Sequence, residues 1–250
     1  MANQKTFLVR VKRQASPKEA PRWEEFELPW RPHMNIIIVL RDIAERPVTR
    51  DGQTTTPITY DSNCLEEVCG SCAMVINGRA RMACSSLVDK LEKPIRIEPM
   101  TKFPVVRDLA VDRSSMFENL KRMKAWIPID GTYDLGEGPR MAPAAQEKAY
   151  PLSRCITCGN CLEVCPQVNE NNAFVGAAII SQVRLFNMHP TGAMHAHERL
   201  DAIMGPNGVA DCANAQNCVK TCPKGIPLTE SIAEVNRQAI RQAVFGWLIG

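Results

Sequence analysis

Eleven cysteines, gathered into three groups, are the residues of this chain whose type and spacing can do chemistry. Cys64, Cys69 and Cys72 are separated by four and two residues, and Cys84 follows after eleven more. Cys155, Cys158, Cys161 and Cys165 form a C-x2-C-x2-C-x3-C run closed by Pro166. Cys212, Cys218 and Cys222 take the first, third and fourth places of a second such run, closed by Pro223, with Ala215 in the second place. Clustered thiols in a reducing compartment mean metal, because the thiolate is the ligand form and soft sulfur suits iron–sulfur clusters and zinc.

The first group has the plant-type spacing of a 2Fe–2S cluster. Gly70 and Ser71, between ligands, let the backbone come close enough for amide N–H groups to bond the sulfurs and raise the potential. Structural zinc is the alternative. Zinc sites usually pair two short knuckles, however, whereas this group has a long first gap and a distant last ligand. The second group is the bacterial run whose fourth cysteine, in two-cluster proteins, ligates the other cluster. Applied here, Cys155, Cys158, Cys161 and Cys222 share a 4Fe–4S cluster, and Cys165 joins Cys212 and Cys218 at the other. The cubane corner at Ala215 has no thiolate and readily loses its iron, so that centre is expected to be 3Fe–4S. Cluster type and charge set potential, and the 3Fe–4S centre is expected to lie above the 4Fe–4S centre. No cysteine is left over.

The rest of the composition narrows the setting. With 250 residues the chain has room for two small domains, and its 45% hydrophobic and 23% charged residues are those of an ordinary globular protein. A net charge of +3 gives no basic stripe for nucleic acid. No apolar run approaches the roughly 18 residues of a membrane span; residues 173–180 and 243–250 are the longest candidates and are far too short. The start alternates polar and apolar residues without a secretory core. An odd cysteine count argues against a disulfide framework. A cytoplasmic chain is expected, meeting a membrane only as a peripheral subunit. It carries no glycine fingerprint, P-loop, Ser-His-Asp or H-E-x-x-H signature, hence no catalytic constellation of its own. His33, His189, His195 and His197 read as surface or loop hydrogen-bonding residues. Lys220 and Lys224, flanking Cys222, are solvated or raise a nearby potential. Trp126 reads as core.

The elements that must position the cysteines follow from periodicity. Alternation over 6–12 and 23–30, with Pro17 and Pro21 between, predicts a hairpin. At 36–40 an apolar run behind Asn35, a possible N-cap, fits either a helix ended by Pro47 or a buried strand. Residues 51–63 read as loop, 73–84 as two strands about an Asn-Gly turn, and 94–100 as a short strand. From about 106 helical spacing offers Leu109, Met116, Leu120 and Met123 to one face, and 130–145, rich in Gly and Pro, reads as an extended connector. A mainly helical segment separates the last two cysteine groups. The chain ends in a helix with Thr229 as cap and Glu230 in its first turn. The expected boundary is near 105, β-rich before and α-rich after.

At the 64–84 run, 103–128, "CITCGNCLEVCPQVN" and "CANAQNCVKTCPKGIP", the sequence resembles the iron–sulfur subunits of succinate dehydrogenase, or succinate:quinone oxidoreductase, and of the related fumarate reductases. The likeness covers almost the whole chain. It implies an α+β fold: a plant-ferredoxin-like β-grasp domain (1–105), then a mainly helical bacterial-ferredoxin-like domain (106–250). It also implies an FAD-containing flavoprotein partner that binds succinate or fumarate, and a membrane anchor of the cytochrome b type. Electrons would pass through the 2Fe–2S, 4Fe–4S and 3Fe–4S clusters in turn to a quinone near the last of them. The chain would then sit peripherally on the cytoplasmic face of the membrane. Ubiquinone-using members carry a tryptophan after the Cys-Pro of the four-cysteine run and a histidine after the first cysteine of the last. Here Pro166, Asn169 and Ala213 mark those places and neither aromatic is present, so the resemblance points to menaquinone. Residues 166–200 are similar to the Gram-positive, menaquinone-using type. Three other readings stand beside this one: a fumarate reductase subunit working in the opposite direction, a freestanding multi-cluster electron carrier and a colourless zinc-binding module.

Overall fold

The computed structural model describes residues 5–128 and 140–246, and the chain divides into two compact units, Met1–Arg113 and Ser114–Gly250.

The first unit is a mixed five-stranded sheet with one helix. Strands β1 (Thr6–Arg13) and β2 (Arg22–Pro29) form the expected hairpin, in antiparallel register from Thr6↔Pro29 to Arg13↔Arg22. Phe7, Val9 and Val11 point into the core, and Arg13 takes the next inward place. It is only 1% exposed, because its guanidinium meets two carboxylates: Asp108 accepts from Nε at 2.9 Å and from Nη2 at 3.2 Å, and Glu24 from Nη1 at 2.7 Å. The apolar run after Asn35 is helix α1 (Ile36–Glu45) rather than a strand. Asn35 Oδ1 caps it, accepting from the Ile38 amide at 2.9 Å, and Ile36, Val39, Leu40 and Ile43 bury one face. Strands β3 (Ala73–Ile76) and β4 (Arg79–Met82) flank the Asn-Gly turn. Asn77 and Gly78 both have positive φ, +49° and +71°, as a two-residue turn matched to strand twist requires. Strand β5 (Ile95–Glu98) completes the sheet in the order β2–β1–β5–β3–β4, with only β1 and β5 parallel.

The structure departs from the helical reading after 106. Strands β6 (Val105–Arg107) and β7 (Ala110–Val111) form a small hairpin first. Asp108, at φ +48°, makes the turn; its carboxylate is held by Arg13, and a left-handed residue cannot continue a right-handed helix. Leu109 is buried in this hairpin, not on a helix face.

In the second unit α2 (Ser114–Arg122) buries Met116, and Met123 just beyond it is also buried. Trp126, expected in the core, is 46% exposed; its carbonyl accepts from Arg199 Nη1 at 3.1 Å. Of the Gly- and Pro-rich connector, 130–139 lie outside the described residues, and its end already belongs to α3 (Pro143–Ser153), with Pro143 in the first turn. After the short α4 (Asn160–Glu163) and the two-residue strands β8 (Val168–Asn169) and β9 (Asn172–Ala173) comes α5 (Ala177–Met188), whose first turn is wholly buried. It touches α3, α4, α6 (Ala196–Met204) and the long α8 (Leu228–Phe245). Between the last two lies α7 (Asn217–Thr221). Leu228, Ser231, Val235 and Ala239 form the buried stripe of α8. Thr229 is not its cap: the helix starts one residue earlier, after Pro227, without a side-chain cap. Glu230 does lie in the first turn, where its carboxylate accepts from Arg184 of α5 at 2.6 Å. No described helix is long and apolar enough to cross a membrane.

Candidate cluster-binding sites

The Asn-Gly hairpin sets the first site. Cys72 immediately precedes β3 and Cys84 follows β4 by one residue, and the Ala83 amide donates to the Cys72 carbonyl at 3.0 Å. The two thiols therefore meet at the open end of the hairpin. Burial, and then the Cys72 thiol, push Cys84 up to about 12. Asn35, having capped α1 with its oxygen, donates from Nδ2 to the Cys84 carbonyl at 2.9 Å and so ties the helix start to this cysteine.

Cys64 and Cys69 lie on a loop curled by left-handed residues, Leu65 (φ +63°), Glu67 (φ +59°) and Gly70 (φ +76°). Such changes of hand gather successive amides into an anion-binding concavity. The Val68 and Cys69 amides each donate to Cys64 Sγ at 3.2 Å, the Glu66 amide does so at 3.5 Å, and the Ser71 amide reaches Cys69 Sγ at 3.5 Å. Bonds from Cys64 and Ser71 draw Cys69 down to about 6. The sequence pointed to amides near Gly70 and Ser71. It gave no sign of those at 66–69, since no side chain carries them.

The seven remaining cysteines line two cavities in the second unit. One is bounded by Cys155, Cys158, Cys161 and Cys222, together with Met116 and Ile226. The other is bounded by Cys165, Cys212 and Cys218, with Ala215 in its wall. Each run thus contributes its fourth cysteine to the other run's cavity. Burial raises Cys155, takes Cys158 to about 11 and lifts Cys161 well above the usual thiol range. Hydrogen bonds from the Thr157, Asn160 and Ala178 amides oppose those rises. Ala178 belongs to the first turn of α5, whose free amides carry the positive end of the helix dipole.

The two loops repeat the same backbone. Thr157 and Gly159 flank Cys158 with φ +50° and +85°; Asn214 and Gln216 flank Ala215 with φ +55° and +60°. A short helix follows each, α4 after Gly159 and α7 after Gln216. Ala215 therefore occupies in its loop the conformational place of Cys158. The two differ in exposure: Cys158 is buried, whereas residues 213–217 are all exposed. Among the residues marked for the quinone, Pro166 and Ala213 are exposed and share the wall of the three-cysteine cavity. Asn169 is not in that wall. It folds back on its own turn, donating to the Pro166 carbonyl at 2.8 Å.

The donor chemistry fits iron–sulfur clusters: all-sulfur sets, cavities between them, and amides aimed at anionic sulfur. Among the described residues no group of three or more His, Cys, Asp or Glu is gathered closely enough to hold a metal ion. Thiolates around an iron–sulfide core stand farther apart than ligands of one ion, because the core lies between them. The histidines lie in loops and on helix surfaces. His195 Nδ1 is 3.3 Å from Glu198 Oε1, His189 Nδ1 accepts from the Gly192 amide at 3.3 Å, and His33 and His197 are exposed.

Residues 8–118 match the family of 2Fe-2S iron-sulfur cluster binding domains, and residues 151–226 the 4Fe-4S dicluster domain. The chain is 59% identical over 243 residues to the succinate dehydrogenase iron-sulfur subunit of Bacillus subtilis, covering 97% of this chain and 96% of that one. It is 31% identical over 223 residues to the fumarate reductase iron-sulfur subunit of Wolinella succinogenes, covering 88% and 90%. A chain of the Mycobacterium smegmatis Sdh1 complex in the apo form shares the fold, with TM-score 0.78 at 22% identity, over 96% of this chain and 97% of that one.

Proposed function

The chain belongs to the family of succinate dehydrogenase and fumarate reductase iron–sulfur subunits, and from that premise we propose its working parts. Cys64, Cys69, Cys72 and Cys84 hold the 2Fe–2S cluster. Cys155, Cys158, Cys161 and Cys222 hold the 4Fe–4S cluster, and Cys165, Cys212 and Cys218 the 3Fe–4S cluster. When bound, the clusters carry single electrons between the FAD of a flavoprotein subunit, where succinate is oxidised, and a membrane quinone. The chain itself supplies thiolates, the amides that stabilise their charge, and the packing that keeps water from the buried sulfurs.

A membrane anchor of the cytochrome b type holds the chain on the cytoplasmic face, with the quinone near Pro166 and Ala213. Asn169 and Ala213 replace the aromatics of ubiquinone-using relatives, which favours menaquinone. The identity to a succinate dehydrogenase subunit, 59%, is well above the 31% and 28% to fumarate reductase subunits, which favours succinate oxidation.

The observation that carries the ligand assignment is the repeated loop, with Ala215 in the place of Cys158. Its test is Ala215→Cys in the purified complex. Electron paramagnetic resonance of the oxidised wild type should show a 3Fe–4S signal that the variant lacks. The variant's centre should become 4Fe–4S with a lower potential, so that quinone reduction slows more than succinate reduction of a dye at the flavin. A wild type without the signal, or a variant that keeps it in full, overturns the assignment.

A further inference from the structure

We propose that Arg113 raises the potential of the 2Fe–2S centre by orienting and polarising the peptide group between Gly70 and Ser71. The inference rests on the ligand set proposed above for that centre. Arg113 follows β7 by one residue and is distant in sequence from every cysteine. Its guanidinium donates from Nη1 to the Gly70 carbonyl at 2.8 Å and from Nη2 to the Ser71 carbonyl at 3.0 Å. These carbonyls lie between Cys69 and Cys72. The side chain is 17% exposed; the Asp61 carboxylate, 3.9 Å from Nη2, is 53% exposed and screened by water.

The geometry of the peptide bond turns this clamp into a link. The Gly70 carbonyl and the Ser71 amide belong to one planar trans unit, so they point in opposite directions. With the carbonyl fixed on Arg113, the Ser71 N–H faces Cys69 Sγ, 3.5 Å away. One peptide thus joins a cation on its oxygen to a sulfur on its hydrogen. Hydrogen bonds in such a chain polarise one another, so the guanidinium makes this N–H a stronger donor. Reduction of the centre adds one electron and breaks no bond. The added negative charge is stabilised by the stronger donor and by the cation behind it, which favours the reduced form. Two parallel bonds to two carbonyls need the planar fork of arginine; a lysine ammonium is a point charge on a flexible stem.

The test is a redox titration of the purified complex, following the 2Fe–2S signal by electron paramagnetic resonance, with the 3Fe–4S signal as internal reference. Arg113→Gln should lower the equilibrium constant for reduction about tenfold, a fall of about 59 mV at n = 1, with the 3Fe–4S midpoint unmoved. Arg113→Lys should lie between wild type and Arg113→Gln. A fully loaded Arg113→Gln centre at the wild-type midpoint overturns the proposal, as does an equal shift of both centres. If Arg113→Gln lacks the two-iron signal, Arg113→Lys decides: a lowered midpoint supports the proposal and a wild-type midpoint overturns it. Loss of the signal from both variants makes Arg113 a folding residue and also overturns it. A wild type with no two-iron signal would sink the ligand set instead.

Discussion

Asp108→Asn is the sharpest test of how the first unit holds its cysteine loop. The carboxylate accepts four hydrogen bonds. Oδ1 takes Arg13 Nε at 2.9 Å and the Gln14 amide at 3.2 Å; Oδ2 takes Arg13 Nη2 at 3.2 Å and the Thr59 amide at 3.0 Å. An asparagine of the same shape can serve only one of those pairs, because its NH2 must face the donors of the other. The loss is one charge-assisted bond, about 2 kcal/mol, and one ordinary bond, about 1 kcal/mol. The sum of about 3 kcal/mol is at the low end for breaking a buried ion pair, as it should be while Glu24 still neutralises Arg13. For a unit of this size that is a fall of roughly 10–15 °C in melting temperature, read from the thermal loss of the 2Fe–2S visible circular dichroism. Burial pushes the Asp108 carboxyl up, but Arg13 and the Thr59 and Gln14 amides more than offset it, and the net value lies below the ordinary one. A depressed carboxyl stabilises the fold above its unfolded value, about 4, and that contribution is lost as pH falls through the folded value. The wild type and the variant should therefore differ most near neutral pH and converge in acid. A gap under about 1 kcal/mol at pH 7, or one that does not narrow below pH 4, would mean that the Arg13–Asp108 pair does not hold this unit.

Three further outcomes are expected. Asn35→Ala removes the cap of α1 and the bond to the Cys84 carbonyl, each worth about 1 kcal/mol; urea unfolding should show about 2 kcal/mol lost, and Asn35→Ser, which keeps the cap, about half of that. Gly176→Ala forces an alanine to φ +89° and ψ 160° and places its Cβ 2.9 Å from Leu162 Cγ, between Cys161 and Cys165. At about 3 kcal/mol for the dihedral and the overlap together, iron analysis should show the two cubane-type centres depleted while the 2Fe–2S content holds. Lipid extracted from the purified complex should contain menaquinone, and ubiquinone as its only quinone would remove the argument built on Asn169 and Ala213.

What could be read in the sequence was what covalent spacing or local chemistry fixes. The cysteine intervals group the residues that line each cavity, positive φ sets the Asn-Gly turn, and the cap of α1 is one side chain reaching three residues along. The parts that escaped depend on partners remote in the chain. Nothing local marks Arg13 as buried, yet it occupies an inward place because Asp108 arrives 95 residues later. The same pairing stops the helical spacing at 106–113 from becoming helix, since it locks Asp108 into a turn. Arg113 had no signal at all, because what it binds is backbone. Thr157 and Gln216 are equally silent, being residues that ordinarily avoid the left-handed region in which these loops hold them.

The two loops of the second unit share a conformation but not a burial: the one ending in Cys161 is closed around its cavity, while the one containing Ala215 lies open to the surface. A cysteine in the closed loop is drawn up by burial and needs amides and metal to hold it as thiolate. At Ala215 burial would not oppose a thiolate, so an alanine there is not a concession to packing. The alanine instead lies at an exposed rim of the three-cysteine cavity, with Pro166 and Ala213 in the same wall. That is the place where a cluster with one iron fewer and a higher potential would be approached by an acceptor from outside the chain.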